Sequence, residues 1–149
     1  MFRLIICIKG ENTMAKCVYE KTYSLLLKLI PQLWEFELGE AANSKVENYM
    51  DLNLDVLDKT EQSITIALSH YYKHPSGDLI PDPDMQIRVY KHEMAEALTY
   101  QDSYFFQRVY IDENRYYPKL KKQLNSFLRQ WLKNCIDQEH QLKREPYEA

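Results

Sequence analysis

Glycine is scarce in this chain, with 3 among 149 residues. Few backbone positions can therefore rely on positive φ without strain. Neither a G-x-G-x-x-G nor a G-x-x-x-x-G-K-[ST] phosphate loop occurs, which leaves the common nucleotide-cradling motifs without a sequence. Cysteine is just as rare. Cys7, Cys17 and Cys135 are far apart, odd in number and contain no C-x-x-C pair. A disulfide framework is not expected, and a reducing cytoplasm is the expected setting. No run of about eighteen apolar residues exists, so no membrane span is expected. The start, Met1 to Lys9, has too short an apolar core and too poor a cleavage region for a signal peptide. H-E-x-x-H, a nucleophile elbow and an EF-hand loop are also missing.

The chain is rich in tyrosine, with 12, and carries a net charge of −3. Its length suits a single domain able to bury an ordinary core. We read residues 1–13 as an upstream extension or an extra edge strand, with Met14 as the start of the domain. Residues 14–138 then form one α+β domain, and 139–149 a flexible polar tail.

The strongest pattern lies near the C-terminus. Leu120, Leu124, Phe127, Leu128, Trp131, Leu132, Cys135 and Ile136 fall on one stripe of a helix, and no strand period fits them. The other face carries Lys119, Lys121, Lys122, Arg129 and Lys133, all expected to face solvent. An earlier helix is predicted over Val18–Ile30, stopped by Pro31. Between the helices, alternation predicts strands over 50–56, 64–69 and 85–90. Residues 74–84 read as a long loop because they contain three prolines. Met94–Tyr100 has helix-forming residues, but a hairpin partner for 87–90 is more economical, so it is read as strand. Residues 104–110 are β-prone and extend the sheet. The expected fold is α+β: an antiparallel meander of four to five strands with an N-terminal and a C-terminal helix packed on one face.

His70, His74, His92 and Glu93 form the one cluster with metal or acid–base potential. His70 and His74 lie in a strand and at a loop entrance, so their i, i+4 spacing loses its helical meaning, and no metal site is expected. Asp78, Asp82 and Asp84 share the proline-rich segment and are read as a solvated loop. No cofactor is expected either. Charge is uneven: residues 35–61 hold eight acids against Lys45 and Lys59, while 115–133 hold six bases and no acid. The candidate binding surface is Arg88, Tyr90, His92, Glu96, Arg108, Tyr110, Arg115, Tyr116, Tyr117 and Lys122. Basic residues beside tyrosines suit phosphates and stacked bases, yet the negative net charge argues against a dedicated nucleic-acid binder.

Two segments carry a resemblance. Met85-Gln86-Ile87-Arg88-Val89-Tyr90-Lys91-His92-Glu93-Met94-Ala95-Glu96 and Gln123-Leu124-Asn125-Ser126-Phe127-Leu128-Arg129-Gln130-Trp131-Leu132-Lys133-Asn134-Cys135 resemble the YqiB-like family, uncharacterised proteins chiefly of gammaproteobacteria. Tyr23 to Pro31 is similar to that family's first helix. The chain departs from the family's pattern in three places. The Lys91-His92-Glu93 turn is one residue shorter. Tyr110-Ile111-Asp112 stands where a Tyr-Pro-Asn motif falls. Pro118-Lys119-Leu120-Lys121 replaces an acidic–basic cluster. The resemblance implies a bacterial cytosolic protein and supplies no activity. With no catalytic set assembled, an enzyme is not expected. The expected function is a non-catalytic protein-interaction domain with an unknown protein partner and no membrane role. A nucleotide or weak nucleic-acid binder is the alternative.

Overall fold

The structure, a computed structural model, describes residues 16–145. The expected extension or edge strand over 1–13 lies outside the described residues. Helix α1 spans Val18–Leu29. It buries Thr22, Leu26 and Leu29, three and four residues apart, as one helical stripe requires. Pro31 lies two residues beyond its end, and a short 3-10 turn follows over Leu33–Glu35. Helix α2 spans Pro118–Asp137, with Pro118 in its first turn, where the missing proline N–H costs no hydrogen bond.

Among the described residues, seven antiparallel strands lie between these helices: β1 Ala41–Ser44, β2 Leu52–Lys59, β3 Ser63–Lys73, β4 Leu79–Tyr90, β5 Met94–Ala97, β6 Thr99–Gln101 and β7 Phe106–Arg108. Their order is β1-β2-β3-β4-β6-β7, with β5 beside β4 as well. The α+β class and the two terminal helices are as the patterning indicates, and the strand number is higher. β4 is longer than expected because it starts before Pro81 and Pro83. Its first half pairs β3 through Pro81↔Tyr71 and Ile80↔Tyr72. Pairing on its other side begins only at Asp84↔Gln101. A strand segment paired on one side tolerates residues without an N–H. The segment read as one strand over 94–100 breaks into β5 and β6 at Leu98, whose N–H still bonds Gln86 O at 2.8 Å.

The core joins Leu26, Leu29, Ile30, Leu33 and Phe36 to Leu52, Leu54, Ile64, Ile66, Leu68, Met85, Ile87 and Val89, closed by Leu124, Leu128, Trp131 and Leu132. Both helices therefore cover one face of the sheet. Two residues placed on the buried pattern stand outside it: Met50 precedes β2 and Phe127 lies on the flank of α2, both exposed.

Within the described residues, 139–145 are tied to the domain. Glu139 adopts positive φ, and His140 N–H bonds Cys135 O at 3.0 Å, closing α2 with a left-handed cap. The backbone then turns back. Leu142 is fully buried and its N–H bonds Leu29 O at 2.9 Å, satisfying a carbonyl at the end of α1. Arg144 forks onto Glu40 at 3.0 and 3.1 Å. Residues 139–145 thus form a strap, where the composition had suggested a loose tail. Cys135 is buried and free.

Candidate binding groove

Strand register builds the centre of the site. Arg88 pairs with Glu96 and Tyr90 with Met94. Parity therefore sends Arg88, Tyr90 and Glu96 to one side of the hairpin and Val89, Ala95 and Ala97 to the other. Glu96 is 0% exposed. A carboxylate so placed needs donors, and it has two. The Tyr90 hydroxyl donates to Oε2 at 2.6 Å, and the Tyr110 hydroxyl donates to Oε1. Burial first, and the Glu96 carboxylate second, push the Tyr90 hydroxyl well above the ordinary tyrosine range. The same two causes, in the same order, raise Tyr19.

Lys121 stands in front of this cluster. Its ammonium lies 4.9 Å from the ring centre of Tyr116, 5.4 Å from Tyr110 and 5.6 Å from Tyr19. Three aromatic faces around one cation hold it electrostatically. Tyr110 links the two layers, since its hydroxyl serves Glu96 while its ring faces Lys121. The expectation that Lys121 points freely to solvent is corrected: the side chain is half-buried in a tyrosine cage. The adjacent Asn125 is buried, with Oδ1 accepting the Ala97 N–H at 2.9 Å. That bond fixes α2 against β5 and sets the height of Lys121.

The cage opens into a groove of about 1100 Å³ along α2. Tyr19 and Tyr116 form one end, Phe127 and Gln130 the other, and Lys121, Lys122 and Arg129 supply charge between them. No acid lines it among the described residues. The start of α2 adds to this polarity, because its first turn carries no acid and no side-chain cap. Exposed N–H groups and the helix dipole both favour negative charge there.

Of the ten surface residues picked from sequence, the structure brings Tyr90, Glu96, Tyr110 and Tyr116 together, with Arg88 and Lys122 beside them. Arg88 also bonds Thr65 Oγ1 at 3.3 Å. His92 is exposed and rests on the Tyr90 ring at 5.1 Å. Arg115 turns to Asp112 at 2.8 Å, Tyr117 precedes α2 with its ring exposed, and Arg108 lies on β7; none of these three lines the groove. Tyr19 and Lys121 were missed. A tyrosine near a helix start and a lysine on a basic helix face give no sequence sign that they meet. The sign that was available is Glu96 itself, an acid set between Ala95 and Ala97 in a strand.

A second polar cluster lies under the other half of α2. His70 lies between Ser69 and Tyr71 of β3, where it alone faces two residues of β4, Asp82 and Pro83; the bulge is on β4, and it disrupts the ladder beside His70. Its Nδ1 meets Asp51 O at 2.8 Å, its Nε2 lies 3.8 Å from Cys135 Sγ, and its ring meets Trp131 edge-on at 5.4 Å. His140 Nδ1 meets Ser44 Oγ at 2.8 Å. Burial pushes the Cys135 thiol up to about 12, so the reactive thiolate is disfavoured at neutral pH. Among the described residues no group of three or more His, Cys, Asp or Glu is arranged to hold a metal ion. His74 sits apart in the β3–β4 turn, bonded to Ser76 Oγ at 2.9 Å. Asp84 belongs to β4 and not to a loop; it accepts from the Tyr71 hydroxyl at 3.1 Å.

The fold and groove define a small α+β domain with one cation-lined face. The chain belongs to the family described as "Protein of unknown function (DUF1249)", whose model matches residues 25–141. That span runs from within α1 to the strap and includes Glu96, Tyr110, Tyr116 and Lys121, but not Tyr19. No curated protein and no solved structure matches the chain. No described helix is long and apolar enough to cross a membrane.

Proposed function

We propose that this domain is a non-catalytic protein-interaction module that seats an acidic segment of a partner protein in the α2 groove. One observation carries the reading: Lys121, Lys122 and Arg129 line a groove that holds no acid among its described residues. Charge of one sign on a concave face selects and steers the opposite sign. The cage preorganises Lys121, so less side-chain freedom is lost on binding. Gln123, Ser126 and Gln130 offer uncharged hydrogen bonds along the same face, which suits a peptide backbone. The bacterial, cytoplasmic setting follows from the YqiB-like resemblance.

A second reading, a nucleotide or single-stranded nucleic acid in the same groove, draws on the exposed rings of Tyr116 and Phe127 beside the cations. Base stacking needs such rings. The acids of residues 35–61 and the net charge favour the protein partner. Fluorescence anisotropy separates the readings, with a labelled glutamate-rich peptide, a labelled oligouridine and a labelled lysine-rich peptide as probes. The glutamate-rich peptide is expected to bind, and Lys122→Glu with Arg129→Glu to abolish that binding. Tight, steeply salt-dependent binding of oligouridine alone would replace the first reading with the second. No binding of either anion would remove both.

A further inference from the structure

The outer sides of β1, β5 and β7 are treated differently. β1 is bordered by the strap, whose Gln141 N–H bonds Ser44 Oγ at 3.2 Å and whose Arg144 forks onto Glu40. β5 is stopped by Asn125, which takes the Ala97 N–H. β7 has no described strand on its outer side. Natural sheets blunt such an edge with charge, proline or a covering element. β7 is short and carries the exposed Arg108, yet it also presents an apolar surface: Tyr104, Phe105 and Phe106 are 88%, 52% and 56% exposed. They are adjacent in sequence at the β6–β7 turn and the start of β7, so they form one apolar tip.

The pairing pattern fixes which groups face outward. Asp102 N–H bonds Phe105 O at 3.1 Å and Val109 N–H bonds Leu98 O at 2.9 Å. Tyr100 opposes Gln107 between these two pairs. In an antiparallel ladder the inward-bonding residues alternate, so Phe105, Gln107 and Val109 bond β6. Phe106 and Arg108 then turn their N–H and C=O groups to the open side. Arg108 has no ion pair among the described residues.

We infer that β7 is a homodimerisation edge, where a second copy of this chain adds its own β7 antiparallel about a twofold axis through Gln107. The edge carries its own complement. With Gln107 opposite Gln107 of the second copy, Phe106 falls opposite Arg108 and Arg108 opposite Phe106. Each of those two pairs exchanges both outward N–H and C=O groups, giving four backbone hydrogen bonds. Each also sets a guanidinium against a phenyl ring at cross-strand distance, a favourable pairing. The twofold closes the assembly at two chains, because the same patch is used by both. The exposed ring of Phe105 lies next to the ladder and adds apolar cover. The inference is independent of the groove, since β7 contributes none of its described lining.

The test is sedimentation velocity of the full chain, up to about 1 mM because a contact this small belongs to the weak class. The wild type is expected to dimerise. Phe106→Arg places arginine opposite Arg108 twice and is expected to give monomers. Phe106→Glu places glutamate opposite Arg108 twice and is expected to keep the dimer. Phe106 is exposed, so both variants retain the monomer fold, checked by thermal melting. A monomeric wild type across the range overturns the inference. So does loss of the dimer in both variants, which means a merely apolar contact, or its survival in both, which means another interface.

Discussion

Two polar clusters sit beneath α2, and they differ in what lies above them. Under the C-terminal half, His70, His140, Ser44 and Cys135 are all buried and are sealed by Trp131 and the strap. Under the N-terminal half, Glu96 and Tyr90 are equally buried, but Tyr110 passes their influence to Lys121, which faces a groove. Buried polar groups and shifted pKa values occur in both. Access distinguishes them: a polar network with no path to solvent fixes packing, and one that ends on a half-exposed cation fixes a binding group.

The comparison is broken most severely at the seal. Trp131→Ala leaves a cavity over His70 and is expected to cost about 3–5 kcal/mol in urea unfolding. An unchanged midpoint would mean that α2 is not anchored there. Glu96→Ala is expected to cost less, about 1–3 kcal/mol, because it strips the acceptor from the buried Tyr90 hydroxyl. If Glu96→Ala proves neutral, that carboxylate is not the acceptor that organises its cluster.

A pH titration sharpens the contrast further. Burial first, and neighbouring His70 second, hold His140 below its ordinary value of 6.5. The unfolded chain then binds a proton that the folded chain refuses. The stability due to this group is complete above about pH 6.5 and is lost as pH falls through the lowered value, at no more than about 1.4 kcal/mol per pH unit. His140→Gln is expected to remove that slope between pH 6.5 and 5, seen in melting temperatures. Smallest of all is the surface term. Lys122→Glu with Lys133→Glu should change stability by no more than about 0.5 kcal/mol per site, since both side chains are exposed.

The packed cluster was the more legible of the two. The α2 stripe marks Leu124, Leu128, Trp131, Leu132 and Cys135 because burial of a helix face leaves a 3.6-residue period, and all five are buried. Strand alternation likewise marks Leu52, Leu54, Ile64, Ile66, Ile87 and Val89. The tyrosine cage leaves no period, because Tyr19, Tyr110 and Lys121 come from three separate segments. Phe127 fits the stripe by count yet stays 40% exposed, because its ring turns sideways onto Tyr100 at 5.4 Å. The strap was hidden by composition: Leu142 is one apolar residue among polar ones, and its burial depends on the positive-φ turn at Glu139. The start of β4 was hidden by Pro81 and Pro83, whose tolerance depends on which side of the strand is paired.

The most direct measurement compares one variant from each cluster for binding of the glutamate-rich peptide at fixed salt and pH. Glu96→Gln keeps the size of the side chain and removes its charge, so Tyr110 and Lys121 lose the anchor behind them. Its Kd is expected to rise about tenfold, equivalent to about 1.4 kcal/mol. His140→Gln alters the sealed cluster and is expected to leave Kd unchanged, whatever it does to stability. Equal effects of the two substitutions, or an effect of His140→Gln alone, would contradict the account.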